Sequence, residues 1–328
     1  MDEQKYNLDQ SLAELDKLVD LSAKEIDQTA CEALAEKARI FYEQYPESED
    51  IALRYANILF NFSINQTELK ELGATVEKLQ KLQQQFHDSH DIALPYARIL
   101  FNLSTEQTEL KELETTAEKL QVVQQHFPDS PDIAEALARI LVNLSVEQVN
   151  VEEIGKTVNS VKQIFEQFKQ SEEIALQYTK ALVNLSAEQI NVEELGETVN
   201  SVKQTFEQFK QSEEIALRYA MALVNLSTEQ INVEELGETV NSVKQIFEQF
   251  KQSEEIALRY AKALFNLSVE QVNVDEIGKT VNSVKQIFEQ FKQSENIALQ
   301  YSMALVNLSA KQVNVDEISE TVNSIQQI

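Results

Sequence analysis

Residues 174–214 read IALQYTKALVNLSAEQINVEELGETVNSVKQTFEQFKQSEE, and the next 41 residues, from Ile215 to Glu255, repeat them with five changes. The pairs that differ are Gln177/Arg218, Thr179/Ala220, Lys180/Met221, Ala187/Thr228 and Thr205/Ile246. A fixed period of this length marks stacked supersecondary units, each completing the core of its neighbour. Full units begin at Ile51, Ile92, Ile133, Ile174, Ile215 and Ile256, giving 51–91, 92–132, 133–173, 174–214, 215–255 and 256–296. Residues 10–50 are a divergent first unit, in which DLSAKEI from Asp20 to Ile26 aligns with NLSVEQV at Asn143 to Val149. Residues 297–328 are an incomplete last unit. The repeat overrides the several domains that 328 residues would otherwise suggest, and predicts one elongated repeat domain over 1–328.

Each unit reads as two antiparallel helices, A and B. Ser171 followed by Glu172 and Glu173 supplies a cap and first-turn carboxylates for helix A. Asn191 with Glu194 does the same for helix B, whose Leu195, Val199, Val202, Phe206 and Phe209 recur every three or four residues. On helix A, Ile174, Tyr178, Ala181, Leu182 and Leu185 form the face expected to pack on helix B, and Leu176, Val183 and Ile190 form a second apolar strip. All five glycines (Gly73, Gly155, Gly196, Gly237, Gly278) fall one residue after the first apolar anchor of helix B. A glycine inside a helix costs about 1 kcal/mol against alanine, so this recurrence predicts close backbone approach. Pro46, Pro128 and Pro131 lie at turns between units. Pro95 falls inside a helix A, which must therefore start late or bend. Residues 1–9 are polar and read as a frayed end.

Hydrophobic residues make up 43% of the chain and charged residues 25%, the balance of a chain that folds rather than a disordered one. With 28 basic and 55 acidic residues the formal charge is −27. That field repels phosphate backbones and anionic lipid surfaces, so neither nucleic acid nor membrane is expected as a partner. Cys31 is the only cysteine, which excludes an intramolecular disulfide. No charged-then-apolar leader and no run of about 18 apolar residues occurs, and a soluble, cytoplasmic protein is predicted.

With the turn Phe127-Pro128-Asp129-Ser130-Pro131-Asp132, the helix from Ile133 to Leu144, and the Tyr-Ala-x-Ala-Leu pattern of Tyr260 to Leu264 in view, nearly the whole chain resembles the tetratricopeptide-repeat class of helical solenoids. It departs from that class in its period, which is about 34 residues there, and in lacking the Trp and Leu-Gly signature of helix A. Armadillo and HEAT repeats have similar unit lengths. The resemblance implies an all-α solenoid wound as a right-handed superhelix, with a concave surface lined by A helices that holds a peptide or protein, and no catalysis.

A narrow stripe of helix A carries the chemistry. The Lys180 place holds Asn57, Arg98, Arg139, Met221, Lys262 or Met303 elsewhere, and the Gln177 place holds Arg54, Pro95, Ala136, Arg218, Arg259 or Gln300. Amid that variation one asparagine is constant: Asn61, Asn102, Asn143, Asn184, Asn225, Asn266 and Asn307. A carboxamide both donates and accepts, so a row of them can hold an extended peptide backbone. Armadillo repeats use such a ladder, and some tetratricopeptide domains grip a C-terminal carboxylate with Lys and Asn four apart. Lys180/Asn184, Lys262/Asn266, Arg98/Asn102 and Arg139/Asn143 have that spacing. The competing reading is that the asparagine only hydrogen-bonds a helix end or the adjacent unit. Arg54, Arg98, Arg139, Lys180, Arg218, Arg259 and Lys262 share the stripe, so an acidic segment or a C-terminal carboxylate is the expected ligand.

The constant Gln189 and Thr198 read as structural, and helix B carboxylates such as Glu193, Glu194, Glu197 and Glu207 as a solvated face. His87 and His90 lie near Asp88 and Asp91, with His126 a unit away, and do not make a zinc set. No phosphate-binding glycine loop and no recurring Ser/His/Asp set exists, so neither enzyme nor cofactor is predicted. The expected function is a peptide- or protein-binding scaffold. The alternatives are a structural spacer or oligomerisation arm, and a sensor region of a larger regulatory or effector protein. The last unit stops at Ser324-Ile325-Gln326-Gln327-Ile328 without the two phenylalanines that close helix B elsewhere. This reads as a fragment with an open end prone to self-association.

Overall fold

A computed structural model of the chain describes residues 2–25, 27–66, 68–326 and 328, with side chains described from residue 8 onward. Met1 of the frayed end, Ile26 of the first-unit alignment and Gln327 of the last segment lie outside the described residues. Among the described residues the fold is all-α. Its helices are α1 (Asp2–Ser22), α2 (Gln28–Gln44), α3 (Glu49–Ser63), α4 (Leu69–Gln85), α5 (His90–Glu106), α6 (Leu110–His126), α7 (Pro131–Glu147) and α8 (Val151–Gln167). They continue as α9 (Glu172–Glu188), α10 (Val192–Gln208), α11 (Glu213–Glu229), α12 (Val233–Gln249), α13 (Glu254–Glu270), α14 (Val274–Gln290), α15 (Glu295–Lys311) and α16 (Val315–Ile325). Odd-numbered helices are the A helices of the repeat and even-numbered ones the B helices.

The chain divides into two compact units, Met1–Gln148 with Asn159–Gln177, and Val149–Val158 with Tyr178–Ile328. In the first, α3 packs on α1 and α5 within the A layer and on α2 and α4 in the B layer, and α5 packs likewise on α3, α7, α4 and α6. In the second, α13 packs on α11, α15, α12 and α14. Among the described residues, α2, α4 and α6 make no such close approach to one another, and neither do α10, α12, α14 and α16. The A layer is therefore tight and grooves open between successive B helices.

Capping explains why the elements start where they do. The Asn191 side-chain oxygen accepts from the backbone N–H of Glu193 at 3.0 Å and of Glu194 at 3.2 Å, and Asn232 and Asn273 repeat the pair. Such a cap contributes about 1 kcal/mol. The hydroxyls of Ser130, Ser171, Ser212 and Ser294 accept from the N–H of the isoleucine three residues on, starting the A helices. In four repeats the hairpin is latched by copies of the two constants read as structural. The Thr239 hydroxyl donates to Gln230 Oε1 at 2.8 Å, and Thr116 to Gln107, Thr280 to Gln271 and Thr321 to Gln312 do the same. Thr75 and Thr198 instead donate to the carbonyls of Glu71 and Glu194 and leave Gln66 Oε1 and Gln189 Oε1 buried without a partner. At the other end of helix B, Gln85 donates to the Pro46 carbonyl, Gln167 to that of Pro128, and Gln290 to that of Lys251. Each of these ties a B helix to the turn before it.

Aromatic pairs bridge successive repeats. Phe206 lies 5.6 Å from Tyr219, Phe247 5.6 Å from Tyr260, and Phe288 5.5 Å from Tyr301, with Tyr42 and Tyr55 stacked at 5.6 Å in the same place. Burial at these junctions pushes the phenols of Tyr55, Tyr96, Tyr219 and Tyr260 up to about 12.

Four expectations are corrected. Helix α1 begins at Asp2, not near residue 10, because residues 2–9 contain good helix formers and neither Gly nor Pro to interrupt the turn. Helix α5 starts at His90, in step with its copies, with Pro95 inside it. The carbonyl that Pro95 leaves without a partner is that of exposed Asp91 in the first turn, where water can serve it. Ile190 lies beyond the end of α9 and is 82% exposed, so it is not part of an apolar strip. Its copies Val149, Ile231, Val272 and Val313 are exposed as well. Finally, a Cβ added at any of the five glycines would meet nothing within 4 Å, so no backbone approaches there.

Two predictions follow from these packing facts. Gly196→Ala with Gly237→Ala removes two flexible helix positions at no steric cost. It should stabilise the chain by about 2 kcal/mol on additivity, read as a higher urea midpoint, and a lower midpoint would restore a packing role for glycine. The four buried tyrosines should ionise near 12 in an ultraviolet titration, against about 10 for an exposed phenol. Between those values the unfolded chain has lost protons that the native one keeps, so stability should fall as pH rises through that window.

Candidate functional site

On the A-helix stripe, five of the seven asparagines bond the A helix before them. Asn225 Nδ2 donates to the Ser186 hydroxyl at 2.8 Å, Asn61 to Ser22 at 2.9 Å, and Asn143 to Ser104 at 2.9 Å. Asn266 donates to Ser227 at 2.8 Å and to Thr228 at 3.3 Å, and Asn307 to the Ser268 carbonyl at 2.6 Å. In every case the serine belongs to the preceding A helix. Its own hydroxyl donates backwards to a carbonyl three residues earlier, as Ser186 does to Val183 and Ser227 to Val224. The result is a two-step polar link joining α3, α7, α11, α13 and α15 each to the last turns of the A helix before it. Asn184 is half-buried in the same place on α9. Asn102 makes no such bond, and the helix before it, α3, ends at Ser63, two residues earlier in the repeat than its copies do. One amide N–H of these side chains thus serves the stack, leaving the remaining polar atoms for any second partner.

The seven cations separate into two groups. In the first compact unit carboxylates attend them. Arg54 Nε donates to Asp16 at 2.6 Å and its Nη1 to the Asp50 carbonyl at 2.8 Å. Arg98 lies 3.9 Å from Asp132. Arg139 pairs with Glu135 at 2.5 Å and lies over the Phe101 ring at 5.3 Å. Lys180, at the start of the second unit, is half-buried. Farther along that unit the pattern changes. Among the described residues Arg218, Arg259 and Lys262 have no carboxylate within 4 Å, and Arg218 Nη1 donates only to the Met221 sulfur at 3.3 Å. The Nε atoms of Arg218 and Arg259 are buried without an acceptor. Burial, and then the neighbouring Arg218 charge, hold the Arg259 guanidinium below its ordinary range. Burial and Arg259 do the same to Lys262. The sequence placed all seven cations in one set, and spacing alone does not separate them. Asp50 and Glu135 stand four residues before Arg54 and Arg139, and Glu214 and Glu255 stand likewise before Arg218 and Arg259 without closing to within 4 Å, whereas Arg98 and Arg54 meet Asp132 and Asp16 across repeats.

The histidines are nearer one another than the chain distance suggests. His126 Nε2 lies 3.0 Å from Asp88 and His87 Nε2 3.3 Å from the same carboxylate, with the two rings 5.7 Å apart. Among the described residues no group of three or more ligands converges on a point where a metal would sit.

Helix pairs at a 41-residue period, linked A helix to A helix, define a helical repeat protein. No helix among the described residues is long and apolar enough to cross a membrane. No family model and no curated protein matches the chain. Among solved structures it is similar to a Rap protein complexed with Competence and Sporulation Factor, at 13% identity and a TM-score of 0.34 over 98% of this chain and 87% of that one. It is also similar to a computationally designed self-assembling cyclic homooligomer, at 12% identity and a TM-score of 0.11 over 98% and 90% of the two chains.

If the asparagines fasten the stack, Asn225→Ala and Asn266→Ala should each cost about 1 kcal/mol in urea unfolding with no ligand present. Unchanged stability in both variants would assign the side chains to ligand contact alone.

Proposed function

We propose that this chain is a peptide-binding repeat scaffold, of the kind the tetratricopeptide class provides, and that its ligand is an acidic segment or a C-terminal carboxylate held on the A-helix stripe. One observation supports this above the rest. In a chain of net charge −27, with 55 carboxylates to draw on, three adjacent cations have none within 4 Å. Arg218 and Arg259 also carry buried Nε atoms without acceptors. A buried donor left unpaired costs about 1–3 kcal/mol, and like charges held together add to that cost. A ligand carboxylate would remove both, accepting from the guanidinium forks in a bidentate arrangement. The arginines of the first unit already have carboxylates beside them, although Arg139 Nε is likewise buried without an acceptor, and they contribute more to local structure than to capture.

The alternative of a bare spacer predicts no use for this cluster, which makes the two separable. A fluorescently labelled hexaglutamate peptide with a free C-terminus should bind at low ionic strength and weaken steeply with added salt. Arg218→Glu with Arg259→Glu should weaken it at least tenfold while leaving the helical circular dichroism intact. Binding that ignores both salt and the substitution would reject the proposal, as would no binding at all.

A further inference from the structure

The aromatic pair between repeats is incomplete at two junctions: at α4–α5, where Gln83 stands in the phenylalanine's place and Tyr96 is kept, and at α6–α7, where both rings are absent and a third side chain is smaller as well. Where the other repeats place Phe206 and Tyr219, or Phe247 and Tyr260, the junction of α6 with α7 has Gln124 and Leu137. The supporting valine, Val199 or Val240 elsewhere, is Ala117. All three replacements remove volume from the same wall. The groove between α6 and α8 consequently runs down to an aliphatic floor of Ala117, Leu137, Leu141 and Ile164, and holds about 270 Å³. Its counterpart in the second unit has nearly the same volume, about 250 Å³, but is walled by the Phe206 and Tyr219 rings, so the two grooves differ in lining and not in size. Leu141 is 9% exposed, against 3% for Leu223 and 4% for Leu264 in the same place. The Gln124 amide nitrogen donates to the Pro128 carbonyl at 3.2 Å, beside Gln167 at 2.8 Å, and its Oε1 is buried with no partner.

We propose that this gap receives a tyrosine side chain from a partner polypeptide. The sibling junctions show what the place accepts, since each lays an aromatic ring there from its own chain. An incoming ring would cover the aliphatic floor and regain the aromatic volume that Gln124 and Leu137 forgo. Once the Gln124 amide turns toward the groove, the phenol hydroxyl can donate to its Oε1, the acceptor now buried and unsatisfied. The rim is uncharged, with Gln121 and Gln163 at the mouth, so a neutral side chain is favoured on a protein otherwise strongly acidic, and the side-chain amides can pair with the backbone that delivers it. The groove is open rather than closed, which admits a side chain carried on a chain. At about 100° per residue, Leu137 and Leu141 lie on the opposite side of α7 from Arg139 and Asn143. The inference therefore stands apart from the basic stripe and does not rest on the acidic-ligand reading.

The test uses N-acetyl-L-tyrosinamide as probe, with N-acetyl-L-leucinamide and p-cresol as comparisons, followed by side-chain amide NMR shifts of the full chain. The tyrosine amide should shift the Gln124 and Gln167 side-chain resonances, at least tenfold more tightly than the leucine amide and no more weakly than p-cresol. Gln124→Phe with Leu137→Tyr rebuilds the missing pair, and should abolish binding while raising the urea midpoint. Leu137→Tyr alone provides a milder filled variant should the double change disturb folding. Undetectable binding, equal binding of the leucine amide, or tighter binding of p-cresol would each overturn the proposal. So would binding unchanged in the filled variants.

Discussion

A helix that must touch four other helices has room for only small residues along the sides where its neighbours come closest. In this protein that requirement falls on the A helices. Ala52 and Ala56, Ala93 and Ala97, Ala134 and Ala138, Ala216 and Ala220, and Ala257 and Ala261 all have no exposed surface. Each pair is one turn apart, so it forms a flat strip against which the next helix can settle. Larger side chains there would push the A layer apart and open the core at every repeat. Within each compact unit the B helices are under no such constraint and stand clear of one another, which leaves grooves between them. The aromatic pairs occupy those grooves from within. The same close packing of the A layer thus creates both the stack and the surface features between its outer helices.

Once the A layer is set, the polar residues that recur divide into fasteners. Gln230 and Thr239 latch a hairpin, Asn225 and Ser186 link successive A helices, and Gln290 ties a B helix to the previous turn at the Lys251 carbonyl. Each is a modest interaction of about 1 kcal/mol. Repeated down the chain, they fix rotation and register, which apolar contact alone leaves loose. Recognition chemistry in such an array has to come from places where copies differ. Both proposed sites do: one where arginine and lysine replace glutamine and methionine, the other where Gln124 and Leu137 replace phenylalanine and tyrosine.

The repeat, the two-helix unit and the caps at Asn191 and Ser171 were legible from periodicity, because each is a local signal that every copy repeats. The failures came where a local pattern carried more than one meaning. Ile190 has helical spacing from Val183, yet the helix ends before it, and hydrophobicity alone does not register that end. The glycines looked like contact points because contact is the usual reason to accept their cost, and here open space surrounds them. The asparagine row was readable as a row, but its partner serine lies one repeat back, and nothing in a single helix reveals a bond across 39 residues. The division of the cations was hidden for the same reason, since Asp16 reaches Arg54 from 38 residues away.

Stability in a stack of this kind is local, because each repeat meets only its neighbours. A junction that lacks its aromatic pair forgoes about 0.5–1.5 kcal/mol of ring contact beyond area burial, and nothing elsewhere in the array can compensate for it at a distance. The α6–α7 junction does keep the rest of its fastenings: the Gln107 latch to Thr116, the Asn143 link to Ser104, and the Gln167 tie to Pro128. The smaller residues are confined to three side chains on one wall, while these three polar links are kept. A junction decaying by drift would lose fasteners and packing alike. One that holds its register and gives up only the rings is shaped as a socket, floored in part by Ala117 and carrying the unsatisfied acceptor of Gln124.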